Sequence, residues 1–382
     1  MKIVIVGGHL SPALAVIDAL PKDAEILVIG RKYTFEGDRV ESLEYKTIKA
    51  LNITYKDITS GRLQRRWTRH TIPSLFKIPY GFIQSIFIVK NFKPDVVLSF
   101  GGYLSLPIDL SAIILGIPVV IHEQTLEAGL ANKIVSHFAS KVCISWDSSR
   151  KFFPRRKTVI TGNPIRKFRI PSNSAFRKIS EFRVENKDNL PIIYITGGSS
   201  GSHYINTLVE GCIKELLEKF IVIHQTGDAQ EYKDHERLNN LRGSISFELQ
   251  ERYFLMKFVL PQEVGPILEK ADLVIGRSGM NTVTELIYFG KPSLLIPLPY
   301  SQNNEQLKNA KFLKDRGLAE ILLQDGSDRK EFLRTVNNMF DNIDKYRAKY
   351  KLSGQNQITE EAAKKIAEVV YNEANVEKKQ KR

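Results

Sequence analysis

Apolar residues follow two rhythms along this chain. Short unbroken runs, "KIVIV", "EILVIG", "PDVVLSF", "IPVVIHE", "KVCIS" and "KTVITG", have the length and β-branched content of strands buried on both faces. Between them lie stretches with apolar residues at helical spacing, such as Ser11–Leu20, Pro107–Leu115 and Leu130–Phe138. Residues Arg166–Asn189 are charged, polar and aperiodic, and then the pattern restarts. "PIIYITGGSSGSHYINTLVEGCIKELLEKF" reads as strand, glycine–serine turn and long helix, and "FIVIHQTG", "YFLMKFVL", "ADLVIGRSG" and "PSLLIPLP" supply further parallel strands. This alternation predicts an α/β protein of two doubly wound, Rossmann-like domains, residues 1–163 and 164–357. The amphipathic helix of 358–374, "ITEEAAKKIAEVVYNEA", starts on Thr359–Glu360–Glu361, which suits an amino-terminal cap, and its apolar face is free to pack back on the first domain.

Composition narrows the class. With 382 residues, 42% hydrophobic and 26% charged, the chain is expected to be a soluble globular protein with two cores. A formal charge of +14 calls for an anionic partner, whether nucleic acid, a phosphorylated substrate or an anionic membrane. Cys143 and Cys212 are isolated in apolar contexts, so neither a disulfide framework nor a zinc site is expected, and a reducing cytoplasm fits. The chain opens on a strand without a basic region before an apolar segment, which argues against export. The uncharged runs Ile78–Val89 and Leu110–Ile121 fall short of the roughly 20 residues a spanning helix needs, so membrane contact would be peripheral.

Several turns carry candidate chemistry. "IVIVGGHLSPALAV", residues 3–16, is a strand, a double-glycine turn and a helix with His9 at the turn, without the dinucleotide pattern G-x-G-x-x-G. "TGGSSGS", Thr196–Ser202, lets backbone amides converge at a helix start and make an anion site; the alternative is a close-packed turn with serine caps. In Val274–Pro299, Asn281 or Thr282 would cap a helix that Gly290 ends, and Glu285 is either a structural charge or an acceptor for ribose hydroxyls. "HEQTLEAGLAN", His122–Asn132, and "SFGGYLSLP" with Tyr103 each follow a strand, where open α/β sheets bind ligands. Of His122, Glu123 and Gln124, at least one is expected to face the ligand and at least one to be scaffold. No D-x-D or paired histidine supports a metal, no Walker lysine supports a P-loop, and no G-x-S-x-G supports a hydrolase. Gly61–Lys93 combines Arg62, Arg65, Arg66 and Arg69 with Trp67, Phe76, Tyr80, Phe82 and Phe87. It reads as a core helix with a solvated loop, or as a patch for an anionic membrane surface. No nucleic-acid motif accompanies the charge.

"GGH…PALAV", "GGYLS", "HEQ…AGLANK", "GNPIR", "GGSSGS", "RSGMNTVTE" and "EQLKNA", in this order, resemble the MurG-type glycosyltransferases. The resemblance implies a GT-B fold, two Rossmann-like domains facing a cleft, with an acceptor site in the first domain and a donor site in the second. It implies inverting, metal-independent transfer of N-acetylglucosamine from a UDP-sugar donor to an undecaprenyl-diphosphate-linked muramyl-pentapeptide acceptor in peptidoglycan synthesis. No cofactor is implied, no nucleic acid, and the place of action is the cytoplasmic face of the membrane. His9 matches the family's histidine as candidate base, with Glu123 as rival, or with His9 only orienting substrate. Gly7, Gly8, Tyr103, Thr125 and Asn132 are expected among the substrate-binding residues. On the donor side, Gly197, Gly198, Ser199 and Ser200 would meet the diphosphate and Arg166 the nucleotide, while Val259 would offer its backbone to the uracil. Met280, Asn281, Thr282, Val283, Thr284 and Glu285 would line the nucleotide, and Glu305 and Gln306 would read the sugar hydroxyls.

Three departures from the family pattern leave a related donor sugar or another lipid acceptor open. The loop G-G-T-G-G-H is shortened to Gly7–Gly8–His9, H-E-Q-N ends in Thr125, and Glu305 begins the sugar-reading pair. Two further alternatives are a UDP-N-acetylglucosamine 2-epimerase, which needs no acceptor, and a non-catalytic basic binding protein.

Overall fold

The computed structural model describes the chain except residues 8–9, 34–40, 60–70, 166–188, 199, 228, 230, 353–357 and 381–382. It divides into two units, Met1–Arg166 with Gln357–Arg382, and Lys167–Asn356. The linker expected at Arg166–Asn189 lies almost wholly outside the described residues.

The first unit is built on a seven-stranded sheet in the order β3-β2-β1-β4-β5-β6-β7. Its strands are β1 (Lys2–Val6), β2 (Glu25–Gly30), β3 (Thr54–Asp57), β4 (Val96–Ser99), β5 (Val119–Glu123), β6 (Lys141–Ile144) and β7 (Thr158–Ile160). All adjacent pairs are parallel. Because side chains alternate across a strand, Ile3 and Ile5 face one core and Val4 and Val6 the other. The first core is closed by the helix Leu10–Ala19 and by Ala363, Ile366, Ala367, Val370 and Ala374 of the helix Glu360–Gln380. Ile366 and Val370 are fully buried there, each contributing roughly 1.5–3 kcal/mol of apolar transfer. A separate two-residue parallel pairing of β8 (Asn163–Pro164) with β15 (Ile358–Thr359) joins the start of this C-terminal segment to the chain just after β7. The strand β3 escapes the hydropathy reading. Its sequence TYKD lies at the sheet edge, largely exposed, where no apolar run is required.

The second unit carries a six-stranded parallel sheet in the order β11-β10-β9-β12-β13-β14. Its strands are β9 (Ile192–Thr196), β10 (Ile221–Gln225), β11 (Tyr253–Met256), β12 (Leu273–Gly276), β13 (Ser293–Leu295) and β14 (Ala319–Ile321). The short edge strand β14 likewise lacks a hydropathy signal. Its core joins Ile193, Ile195, Val222, Leu273 and Ile275 to the helix His203–Leu217 through Ile205, Val209 and Leu216.

In each sheet the chain first works outward on one side and then returns to the other side of its first strand. The reversals fall between β1 and β4 and between β9 and β12. Loops leaving the carboxyl ends at such a point diverge to opposite faces and leave a crevice, which is where open sheets bind ligands. The residues following these strands are Gly7 and Phe100–Gly101 in the first unit, and Gly197 and Arg277 in the second.

Candidate functional site

In the first unit the two turns at the reversal are pressed together. A β-carbon on Gly7, at φ +130°, would lie 2.9 Å from the carbonyl oxygen of Gly101, so a side chain is excluded at Gly7. Gly101 packs against the amide of Asn132. Beneath this turn Ser99 donates to the buried carboxylate of Asp109 at 2.8 Å, and the Gly101 amide donates to Ser99 Oγ at 3.3 Å. Desolvation raises the Asp109 pKa to about 7, opposed by the hydroxyls of Ser99 and Ser105.

Glu123 ends β5 and is 3% exposed. Its Oε1 accepts from Thr125 N at 3.0 Å and from Thr125 Oγ1 at 2.6 Å. Its Oε2 accepts from Gly129 N and Asn132 Nδ2, both at 2.9 Å. Gly129 is the N-cap of the helix Leu130–Ser136, so one carboxylate ties the strand end, the loop and the helix start together. His122 is also buried, with Nε2 3.2 Å from Ser145 Oγ and its ring edge-on to Phe100. The Gln124 carbonyl accepts from Trp146 Nε1 at 2.9 Å. All three residues are buried where the loop folds back onto the strand end. Tyr103 is half-buried, and the Arg31 guanidinium lies 5.5 Å from its ring centre. Gly8 and His9 lie outside the described residues.

In the second unit the turn after β9 is held from behind. Gly198 N donates to Thr196 Oγ1 at 3.0 Å, and its carbonyl accepts from Gln225 Nε2 at 3.2 Å. The other end of the Gln225 amide accepts from Tyr194 at 2.8 Å. Gly201, at φ +78°, fits against the next loop only without a side chain, since a β-carbon would lie 2.0 Å from the Thr226 carbonyl oxygen. Ser202 then caps the helix His203–Leu217 by accepting from Ile205 N. Ser200 is exposed at this turn, while Ser199, like Arg166, lies outside the described residues.

Below the turn runs a buried polar chain. Asn206 donates to the Thr226 carbonyl at 3.0 Å and to Asp234 at 2.8 Å, which directs its Oδ1 to His224 Nε2 at 3.0 Å. Burial pushes the His224 pKa down to about 3, so the ring is neutral. Nε2 therefore donates to Asn206, and Nδ1 accepts from the Tyr253 hydroxyl at 2.9 Å.

The turn after β12 organises a second wall. Arg277 donates to the Ile296 carbonyl at 2.9 Å and to Gln324 at 3.0 Å. Ser278 Oγ donates to the Gln306 carbonyl at 2.7 Å, and Gln306 Oε1 accepts from Leu298 N at 3.0 Å. Glu305 and Gln306 open the helix Glu305–Asp315, whose start is thereby fixed to the Arg277–Ser278 turn. The helix Met280–Phe289 is capped by Gly279, not by Asn281 or Thr282, because it begins one residue before them. Its end at Gly290 is as expected. Asn281 is exposed, Thr282 half-buried, Glu285 9% exposed, and Met280, Val283 and Thr284 buried. Val259 lies buried in the loop between β11 and the helix Pro261–Lys270.

Gln225, Arg277, Arg31 and Asp109 were not singled out by the sequence patterns. The first three end a strand or directly follow one, so the carboxyl-end rule was the available signal. Asp109 lies inside an apolar helix and gave none. Among the described residues no three His, Cys, Asp or Glu gather as a metal site, and no helix is long and apolar enough to cross a membrane.

Residues 6–144 match the glycosyltransferase family 28 N-terminal domain, and residues 192–370 match the glycosyltransferase family 28 C-terminal domain. The chain belongs to glycosyltransferase family 28. Within that family it is similar to the UDP-N-acetylglucosamine–N-acetylmuramyl-(pentapeptide) pyrophosphoryl-undecaprenol N-acetylglucosamine transferase of Treponema denticola. The two are 34% identical over 339 residues, covering 87% of this chain and 85% of the relative. The crystal structure of MurG from Acinetobacter baumannii superposes with a TM-score of 0.67 at 25% identity, covering 97% of this chain and all of that one. A UDP-GlcNAc 2-epimerase from Neisseria meningitidis, at 16% identity and a TM-score of 0.62 over the whole of both chains, shares the fold. The chain is thus a glycosyltransferase with two parallel-sheet domains of the GT-B type.

Proposed function

We propose that this enzyme transfers N-acetylglucosamine, with inversion and without a metal, from UDP-N-acetylglucosamine to a lipid-linked N-acetylmuramyl-pentapeptide. What carries the reading is the glycine turn Gly197–Ser202 at the sheet reversal of the second unit, within a chain 34% identical to a transferase named for that activity. The second unit takes the donor. Amides of the turn and the positive end of the helix His203–Leu217 stabilise charge growing on the departing diphosphate, with Ser199, Ser200 and Arg166 adding donors. Glu285 accepts ribose hydroxyls, Val259 offers its backbone to uracil, and Glu305 with Gln306 reads the sugar.

The first unit takes the acceptor at the Gly7 and Gly101 turns, bordered by Tyr103. The acceptor hydroxyl forms its bond to the anomeric carbon as the bond to the diphosphate breaks on the opposite face. Its proton passes to His9, a neutral imidazole being suited to that task. Glu123 is the positioning residue rather than the base, because four donors already occupy its oxygens. Tyr80, Ile83 and Phe87 stand 60%, 54% and 60% exposed on the helix Thr71–Phe92, beside a groove of about 690 Å³ against β3. With a net charge of +14, they support peripheral binding at the cytoplasmic face of an anionic membrane. The basic cluster Arg62–Arg69 and Trp67 lies outside the described residues.

The test is UDP release by purified enzyme with and without the lipid-linked acceptor, with the disaccharide product identified by mass spectrometry. Acceptor-dependent release is expected. UDP release with N-acetylmannosamine formed in the absence of acceptor would instead identify an epimerase.

A further inference from the structure

We propose that Arg31 is a phosphate-binding residue of the acceptor site, holding the acceptor's diphosphate over the Gly7 turn. The proposal rests on the reading that the first unit takes a diphosphate-linked acceptor. Arg31 directly follows β2, and its main chain is pinned: its carbonyl accepts from Ser42 Oγ at 2.8 Å and from the Tyr55 hydroxyl at 3.1 Å. From this anchored position the guanidinium carbon comes within 5.5 Å of the Tyr103 ring centre. Tyr103 belongs to the turn after β4, and β2 and β4 are the two neighbours of β1. Adjacent strands are about 4.8 Å apart, so the two side chains, rooted on either side of β1, meet near its carboxyl end. That end is Gly7. The cation therefore stands with Tyr103 at the crevice of the first unit.

Its charge is available to a ligand. Among the described residues no ion pair joins the guanidinium to a carboxylate, and the Asp57 carboxylate accepts from the Lys32 amide at 2.9 Å. Glu44, on the helix Leu43–Ala50, feels the Arg31 charge, but burial dominates and moves its pKa up to about 7. Lys32 is directed to Glu41 instead. A guanidinium offers up to five N–H donors in a planar fork that matches phosphate oxygens. The Tyr103 ring, 5.5 Å from the guanidinium carbon, attracts the cation without consuming its N–H donors.

The experiment measures steady-state transfer by the full chain with a short-chain polyprenyl acceptor, as its diphosphate and as its monophosphate analogue. Wild type is compared with Arg31→Ala, Arg31→Gln and Arg31→Lys. Arg31→Ala is expected to raise the diphosphate acceptor KM at least tenfold, leave the donor KM within twofold and reduce the preference for diphosphate over monophosphate. Arg31→Lys should recover part of the acceptor KM, since it keeps the charge without the fork. If Arg31→Ala lowers the thermal midpoint, Arg31→Gln keeps the stem, and the same split must appear there. An unchanged acceptor KM, or equal rises in both KM values, overturns the role of Arg31 while the transferase reading stands. Absence of acceptor-dependent transfer by wild type removes that reading and the proposal with it.

Discussion

Asn132 donates to the carboxylate of Glu123 at 2.9 Å, and the same oxygen accepts the Gly129 amide that opens the helix on which Asn132 lies. Strand end, loop and helix are thus locked by one side chain, and each oxygen of that side chain meets two donors. In Glu123→Gln, one of those oxygens becomes an NH₂ group facing donors. The expected outcome is a loss of about 1–3 kcal/mol in stability, from unmet buried donors, together with a fall in turnover. Chemical unfolding and kcat should be measured on the same preparation. A stable variant that loses turnover alone would return Glu123 to the role of base.

A β-carbon on Gly201 would collide with the Thr226 carbonyl and force a left-handed backbone conformation on a residue that disfavours it. Gly201→Ala is expected to displace the Gly197–Ser202 turn and weaken UDP binding at least tenfold, read by titration calorimetry. Gly243→Ala, where a β-carbon meets open space, is the control and should bind UDP as wild type does.

Asp109 gives the pH dependence a definite sign. Its pKa lies near 3.8 in the unfolded chain and is raised to about 7 in the folded protein. The folded state therefore holds the extra proton between those values, and its contribution to stability falls as pH rises through that window, by roughly 4 kcal/mol in total. Glu44, also raised to about 7, adds a slope of the same sign. His224, depressed to about 3, acts oppositely, with stability lost as pH falls below about 6.5. The difference between Asp109→Asn and wild type isolates Asp109. Urea unfolding at a series of pH values should show the variant gaining on wild type from pH 4 to 7, and a constant difference would exclude this titration.

Tyr80 and Phe87 are large apolar residues exposed on one helix. Replacing both by serine should lower binding to anionic vesicles about tenfold in sedimentation assays, leaving UDP affinity unchanged. Binding equal to wild type would remove this helix from the membrane contact.

Much of this architecture is legible in the pattern of residues. Strands buried on both faces must be apolar throughout, so "KIVIV", "IPVVIHE" and "ADLVIG" announce a parallel sheet, and the glycine turns after them mark the ends where ligands bind. The edge strands TYKD and AEI are illegible because only one neighbour contacts them and nothing requires an apolar run. At the site, the turns of Gly7, Gly101 and Gly197 could be read as chain positions. The duties of Asp109, Gln225 and Arg277 could not, since a hydrogen bond between residues far apart in sequence leaves no local pattern.

By itself, then, the sequence determined the alternation of elements, two sheets and the glycine turns at the strand ends, because burial and backbone conformation act on consecutive residues. Only the tertiary structure decided what each polar side chain does. It turned Glu123 inward onto four donors and brought Arg31 beside Tyr103, since strand order, not chain order, sets which charges and donors meet.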